Sequence, residues 1–347
     1  MQTVTSSIQN QMVPLVKDDQ VTWIWWGDSA PALIGDFNGW DDEHSIPLVE
    51  TEPGKWTYTR TFERNAYMEY TFVLDGLRLP DPHNPRLIWN GIDAHFNWFR
   101  MPESVPSPYL QAIPGIPHGK IIREEVPLEG FVVGGIREVF FYKPPTDEPV
   151  PFIGVLDGPD YLRRAFLVNV VDHLIAQKKI RPIALIMVQN GHQARFMEYF
   201  ANDVTAFLFA EPLYQYAQKH LNLIDPKTEP GVHGILGASM GGLQALHMGL
   251  RVPEFFGHVI AQSSAVQFQL NGHKLMLWDW VRWQEKLPLK IWMDVGKYEW
   301  LLESNREFYA LLHSKGYEVH YREVPAGHNY SAWADQLADA LMYQYGL

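Results

Sequence analysis

A chain of 347 residues, 46% hydrophobic and 14% aromatic, carries apolar side chains for more than one core, and two domains are expected at this length. A formal net charge of −12 argues against a nucleic-acid-binding surface, because phosphates require a basic face. With no cysteine, disulfides, zinc–thiolate sites and cysteine nucleophiles are excluded as well.

The opening residues 1–7 (MQTVTSS) show neither a basic n-region nor an apolar h-region, so no secretory leader is expected there. No apolar run approaches the ~20 residues of a membrane span. A cytoplasmic protein with no membrane partner is the expectation. Residues 1–19 are polar without periodicity and read as a flexible arm.

From residue 21 the texture changes to short alternating runs: 21–26 (VTWIWW), 32–35 (ALIG), 55–62 (KWTYTRTF) and 68–74 (MEYTFVL). Gly, Pro, Asp and Asn turns separate them, which predicts a small β-sandwich over 20–105. The 13 tryptophans suit such a module, mainly as packing residues. The order GDFNGW, GKW, YTFVLDG, DPHNP resembles the early-set sandwich of glycogen-binding and starch-branching proteins. Trp40 matches a sugar-stacking tryptophan of that family, but Arg78 and Thr71 stand where a second aromatic and a lysine would be. This implies a domain that shapes access to a site, not a glucan binder.

Residues 106–119 are proline-rich and read as a connector. Strand patterns follow at 120–126 and 137–143, then buried apolar strands at 152–156 and 183–188. Helical patterns cover 165–177, 198–209 and 213–220, and later 303–314 and 332–345. Further strands are expected at 259–263, 291–295 and 319–324. Strands alternating with helices predict an α/β domain with a mainly parallel sheet over 120–347.

Within it, the apolar run 232–236 leads into Gly237-Ala238-Ser239-Met240-Gly241-Gly242 and then a helical pattern over 243–250. Strand, G-x-S-x-G, helix is the arrangement that raises a serine hydroxyl above a sheet. A serine is a poor nucleophile at neutral pH and needs a base, itself oriented by an acid. The order Ser, acid, His is expected in this architecture, with each partner just past a strand end. Of the 14 histidines, His328 follows a strand pattern and precedes the last helix, with Gly327 beside it. His192 follows another strand end and can line a pocket. Glu299, in the loop after 291–295, is the acid of choice, with Asp294 the fallback and a dyad without an acid the third option. The Met240 N–H is the first expected oxyanion donor, with a second from the loop after 156–158. No phosphate-binding glycine loop and no compact metal-ligand spacing is present, so neither cofactor nor metal is expected.

The segments IREVFFYKPP, GVLDGPDYL, GASMGG, PEFFGHVIAQSS, GKYE and AGHNYSAWADQL occur in the order seen in the esterase D-like family. Enterochelin esterase, feruloyl esterases and the antigen 85 mycolyltransferases belong to it. The resemblance covers about residues 120–345 and implies an α/β-hydrolase domain and a serine esterase of enterochelin esterase type. By motif, Ser239 matches the nucleophile, Glu299 the acid and His328 the base. Asp157, His192, Arg195 and Tyr298 are the implied substrate-binding residues, although Arg195 can instead pair with Glu198. The family's second oxyanion donor follows LDG; here that residue is Pro159, without an N–H, so either Gly158 or Asp160 donates or the oxyanion hole is weaker.

The expected partner is a small-molecule ester. A siderophore-like substrate would use Arg163, Arg164, Arg195 and Lys297, whereas a feruloyl or acetyl sugar ester would use Trp278, Trp280 and Trp283. The rival of another class is a catalytically weak hydrolase-fold protein that binds a carbohydrate or other ligand. Oligomeric state is not legible.

Overall fold

The structure, a computed structural model, describes residues 13–91 and 94–347. The expected arm therefore lies outside the described residues up to residue 12. Just beyond, Leu15–Lys17 forms a short strand. By contact density the chain divides into two compact units. The first comprises residues 1–106 together with 296–300 and 323–332; the second comprises 107–295, 301–322 and 333–347.

In the first unit, period-two alternation produces two antiparallel sheets. One runs in the order Leu15–Lys17, Gln20–Trp26, Lys55–Thr61, Val49–Glu52. The other runs Ile46–Pro47, Ala32–Gly35, Tyr67–Leu74, His95–Arg100, Leu87–Trp89. Their inward side chains, among them Val21, Trp23, Leu33, Met68, Tyr70, Phe72 and Phe99, form one buried core. Trp23 lies at its centre, with the rings of Phe37, Tyr58, Phe62, Tyr70 and Phe99 around it.

The residues at the glucan-binding positions are engaged internally. Thr71 is buried and its hydroxyl donates to the Leu79 carbonyl (2.9 Å). Arg78 pairs with Asp42 at 2.7 Å. Trp40 stacks on Phe96 (centroids 4.2 Å apart) and donates its Nε1–H to Asp36 (3.0 Å). Losing a stacking face removes about 1–3 kcal/mol, taking base–aromatic stacking as the guide. The protein is therefore expected to migrate unretarded through gels containing glycogen; clear retardation would assign the sandwich a glucan site.

The second unit is built on an eight-stranded sheet. Its strands are β1 (Lys120–Pro127), β2 (Ile136–Lys143), β3 (Phe152–Val155), β4 (Ala184–Val188), β5 (His233–Ala238), β6 (Phe256–Gln262), β7 (Lys290–Gly296) and β8 (Glu318–Val324). Their order is β1-β2-β4-β3-β5-β6-β7-β8. The first two strands pair antiparallel, and β4, β3, β5, β6 and β7 run parallel. The central strands are buried on both faces, as their continuous apolar runs require. This is the α/β-hydrolase arrangement. Among the described residues no helix is long and apolar enough to cross a membrane.

The helical patterns at 198–209 and 213–220 are redistributed. The chain forms Arg195–Tyr199 and Asp203–Leu208, then a π turn over Phe209–Leu213, then Tyr214–Ala217. Pro212, lacking an N–H and crowding the preceding turn, lies inside the π turn, where wider winding accommodates it. Asn202 starts the Asp203–Leu208 helix by accepting from the Val204 and Thr205 N–H groups. Residues 276–283, for which no element is expected from the sequence, form the helix Met276–Trp283.

His233 on β5 is fully buried, and its Nδ1 accepts the Phe152 N–H (3.2 Å). Burial pushes its pKa from 6.5 down to about 3. Between those values the unfolded chain binds a proton that the folded chain excludes, so stability falls as pH drops through that window. The urea midpoint is expected to fall from pH 7 to pH 4. A His233→Asn variant, which keeps an acceptor for Phe152, should show a shallower decline; parallel declines would remove His233 as the cause.

Candidate active site

Ser239 stands between β5 and the helix Met240–Arg251 with φ 59° and ψ −121°. For a side-chain-bearing residue this conformation costs on the order of 1–3 kcal/mol and persists only where neighbours over-determine it. Here three backbone hydrogen bonds do so. The Ser239 N–H donates to the Gln262 carbonyl (2.9 Å), while its own carbonyl accepts from the Leu243 and Ala265 N–H groups (both 3.0 Å). The close strand–helix passage also explains the glycines. A Cβ at Gly237 would lie 2.3 Å from the Gly241 carbonyl oxygen, and one at Gly242 would lie 2.8 Å from Ser264 Oγ.

Met240 opens the helix, where first-turn N–H groups have no acceptor within the helix and the dipole favours negative charge. Parallel pairing of β3 with β5, with Val155 opposite Leu236, sets residue 157 at the same sheet edge as residue 239. Asp157 has φ 53° and caps the short helix Gly158–Arg163. Gly158 is pressed against the β4 backbone, where a Cβ would meet the Met187 carbonyl carbon at 2.4 Å. Pro159 occupies the first helical turn, where a missing N–H costs no helix bond. The alternative donor Asp160 is corrected: its N–H donates to the Asp157 carbonyl (3.0 Å), closing that turn.

Of the expected substrate-binding residues, Asp157 and Arg195 are joined directly. Asp157 is buried and takes a two-point grip from Arg195, Nε to Oδ1 at 2.8 Å and Nη2 to Oδ2 at 2.7 Å. Asn190 Nδ2 adds a third bond at 2.6 Å, and the Asp157 N–H donates to the Tyr199 hydroxyl (3.0 Å). The guanidinium partner of Glu198 is Arg137 (2.5 Å). His192 is exposed at φ 50°. Tyr298 is half-buried, with its ring 5.7 Å from that of Phe62, against the sandwich core.

Glu299 and His328 both lie in the first unit. Glu299 Oε2 is hydrogen-bonded to His328 Nδ1, and Glu299 Oε1 accepts the Gly296 N–H at 2.5 Å. The Glu299 side chain is fully buried and that of His328 is 14% exposed. Because a carboxylate only accepts, Nδ1 donates, and Nε2 becomes the acceptor nitrogen a general base requires. Asp294 is engaged elsewhere, its Oδ2 accepting from Gln262 Nε2 (3.0 Å) and Trp292 Nε1 (2.7 Å).

Sequence reasoning missed three neighbours of this pair. Trp300, 56% exposed, sets its ring 4.8 Å from the His328 imidazole. Asn329 Nδ2 donates to Asp36 Oδ2 (3.0 Å), and Asp36 lies close enough to feel Glu299 and His328 electrostatically. Burial pushes the Asp36 carboxyl up to about 7; bonds from the Glu69 N–H and the Trp40 indole oppose this, and Glu299 adds to it. Only the turn-forming character of DFNG was visible in sequence.

Residues 132–343 match the family described as "Putative esterase". The iron(III) enterobactin esterase of Escherichia coli O6:H1 is 25% identical over 278 residues, 76% of this chain; the match spans only 66% of that relative's length. The ferric enterobactin esterase structure from Salmonella typhimurium superposes with a TM-score of 0.79 at 18% identity, covering 96% of this chain and 95% of the other. The Shigella flexneri enterobactin esterase, solved in the presence of enterobactin, gives 0.75 at 20% identity over 94% and 92%. With a family match across well over half its length, this chain belongs to that esterase family.

Proposed function

We propose that the chain is a serine carboxylic ester hydrolase of enterochelin esterase type, in which Ser239 attacks the ester carbonyl. His328 accepts the serine proton and later returns a proton to the departing alcohol. Glu299 holds the imidazole in the required tautomer and stabilises the imidazolium. The Met240 and Gly158 N–H groups receive the developing oxyanion. An acyl-enzyme on Ser239 forms, and water then releases the acid. The single observation carrying this reading is the strained, backbone-braced conformation of Ser239 at a helix start. The test is release of p-nitrophenol from short-chain esters in metal-free buffer, with the acyl or fluorophosphonate adduct located by mass spectrometry. An adduct elsewhere than Ser239 would overturn the reading.

For the substrate, the names of the relatives favour a siderophore ester. A second reading, an uncharged aryl or sugar ester, is favoured by the state of the cations. Arg195 is paired with Asp157, Arg164 with Asp160 and Lys297 with Glu63. Of the three tryptophans, Trp278 is buried and Trp280 lies against His247, while Trp283 is exposed. Phe196 and Phe200 stack 5.0 Å apart, with Phe268 edge-on to both, as an aromatic surface. Comparing turnover of a ferric catecholate triester with that of a feruloyl ester separates the two.

A further inference from the structure

Asp36 begins the turn Asp36–Asn38, directly after the sandwich strand Ala32–Gly35, and is 1% exposed. Three donors meet its carboxylate: the Glu69 N–H at 2.8 Å and Asn329 Nδ2 at 3.0 Å on Oδ2, and Trp40 Nε1 at 3.0 Å on Oδ1. Asn329 is the residue after His328, and its Oδ1 accepts the Ala332 N–H (2.9 Å). One side chain thus ties the histidine loop both to the sandwich and to the helix that follows.

The loop lies directly on the carboxylate. A Cβ at Gly327 would fall 2.1 Å from Asp36 Cγ, so only glycine permits this approach. Further bonds fix the same loop. The Tyr67 N–H donates to the Pro325 carbonyl and its hydroxyl is hydrogen-bonded to Ser331 Oγ, both at 3.1 Å, and Tyr67 bridges to Ala326. The Glu299 loop joins them, with the Tyr298 N–H donating to the Ala326 carbonyl (3.1 Å) and Lys297 paired with Glu63.

A fully buried carboxylate is a costly way to brace a loop, since a neutral amide offers hydrogen bonds without the charge's desolvation. Its position beside an imidazole that becomes cationic during acyl transfer gives the charge a use. We propose that Asp36 is a positioning residue for His328, holding its loop through Asn329 and Gly327 and, in its ionised form, favouring the imidazolium. The inference rests on the esterase reading above.

The experiment compares Asp36→Asn, Asp36→Ala and Asn329→Ala with the wild-type full-length chain by steady-state kinetics and by the low-field proton resonance of a histidine Nδ1–H bonded to carboxylate. Asp36→Asn is expected to lower kcat about tenfold, the equivalent of one pKa unit, with KM and the resonance retained. Asp36→Ala is expected to lower kcat about a hundredfold and to shift or erase the resonance. If Asp36→Ala does not fold by circular dichroism, Asn329→Ala carries the positional comparison and Asp36→Asn the charge comparison. Folded variants with wild-type kcat, KM and resonance would overturn the proposal. The resonance is measured also in Ser239→Ala, where turnover plays no part. A wild-type protein inactive on every ester would therefore sink the esterase reading, while the resonance still decides whether Asp36 positions His328.

Discussion

Replacing Ser239 by alanine is expected to lower ester hydrolysis at least about ten-thousand-fold while leaving the urea midpoint near wild type. Removing a nucleophile eliminates the acyl-enzyme route altogether, and what remains comes from oxyanion stabilisation and binding. The fold should tolerate the change because the elbow is held by backbone bonds to Gln262, Leu243 and Ala265, none of which involves the hydroxyl. Alanine adopts the strained conformation about as easily as serine, so a loss of unfolding free energy beyond about 1–2 kcal/mol is not expected. Undiminished p-nitrophenol release by the folded variant would remove the serine-esterase assignment.

His328→Ala should approach the same loss, since without a base the serine hydroxyl stays protonated and weakly nucleophilic. Glu299→Gln should cost less, about a thousandfold, because its part is to orient the ring and stabilise its charge. The ranking follows from contact: Glu299 meets the imidazole at Nδ1, away from the reacting nitrogen. Rates for both variants, measured as kcat and KM separately, check the ranking. A Glu299→Gln enzyme as active as wild type would return the role to Asp294 or to a dyad. His192→Ala is the control on the exposed alternative; if it lost activity where His328→Ala did not, the two histidines would exchange roles.

The sequence by itself determined what local patterns can encode. Period-two runs broken by turn residues specified the sandwich, continuous apolar runs specified the parallel strands, and the small residues around Ser239 specified a cramped elbow. The positions of Glu299 and His328 just past strand ends were legible for the same reason, as each is set by a strand period and a neighbouring glycine. Tertiary structure decided the rest. The packing of Tyr298 against Phe62 and the pairing of Arg195 with the buried Asp157 are contacts that no motif shows. Asp36 reads only as part of a turn, and its partner Asn329 lies 293 positions away. No local rule of propensity or spacing reaches that far. Such a contact exists only once the chain has folded and brought distant loops together, where a buried polar group must find its hydrogen-bond partner.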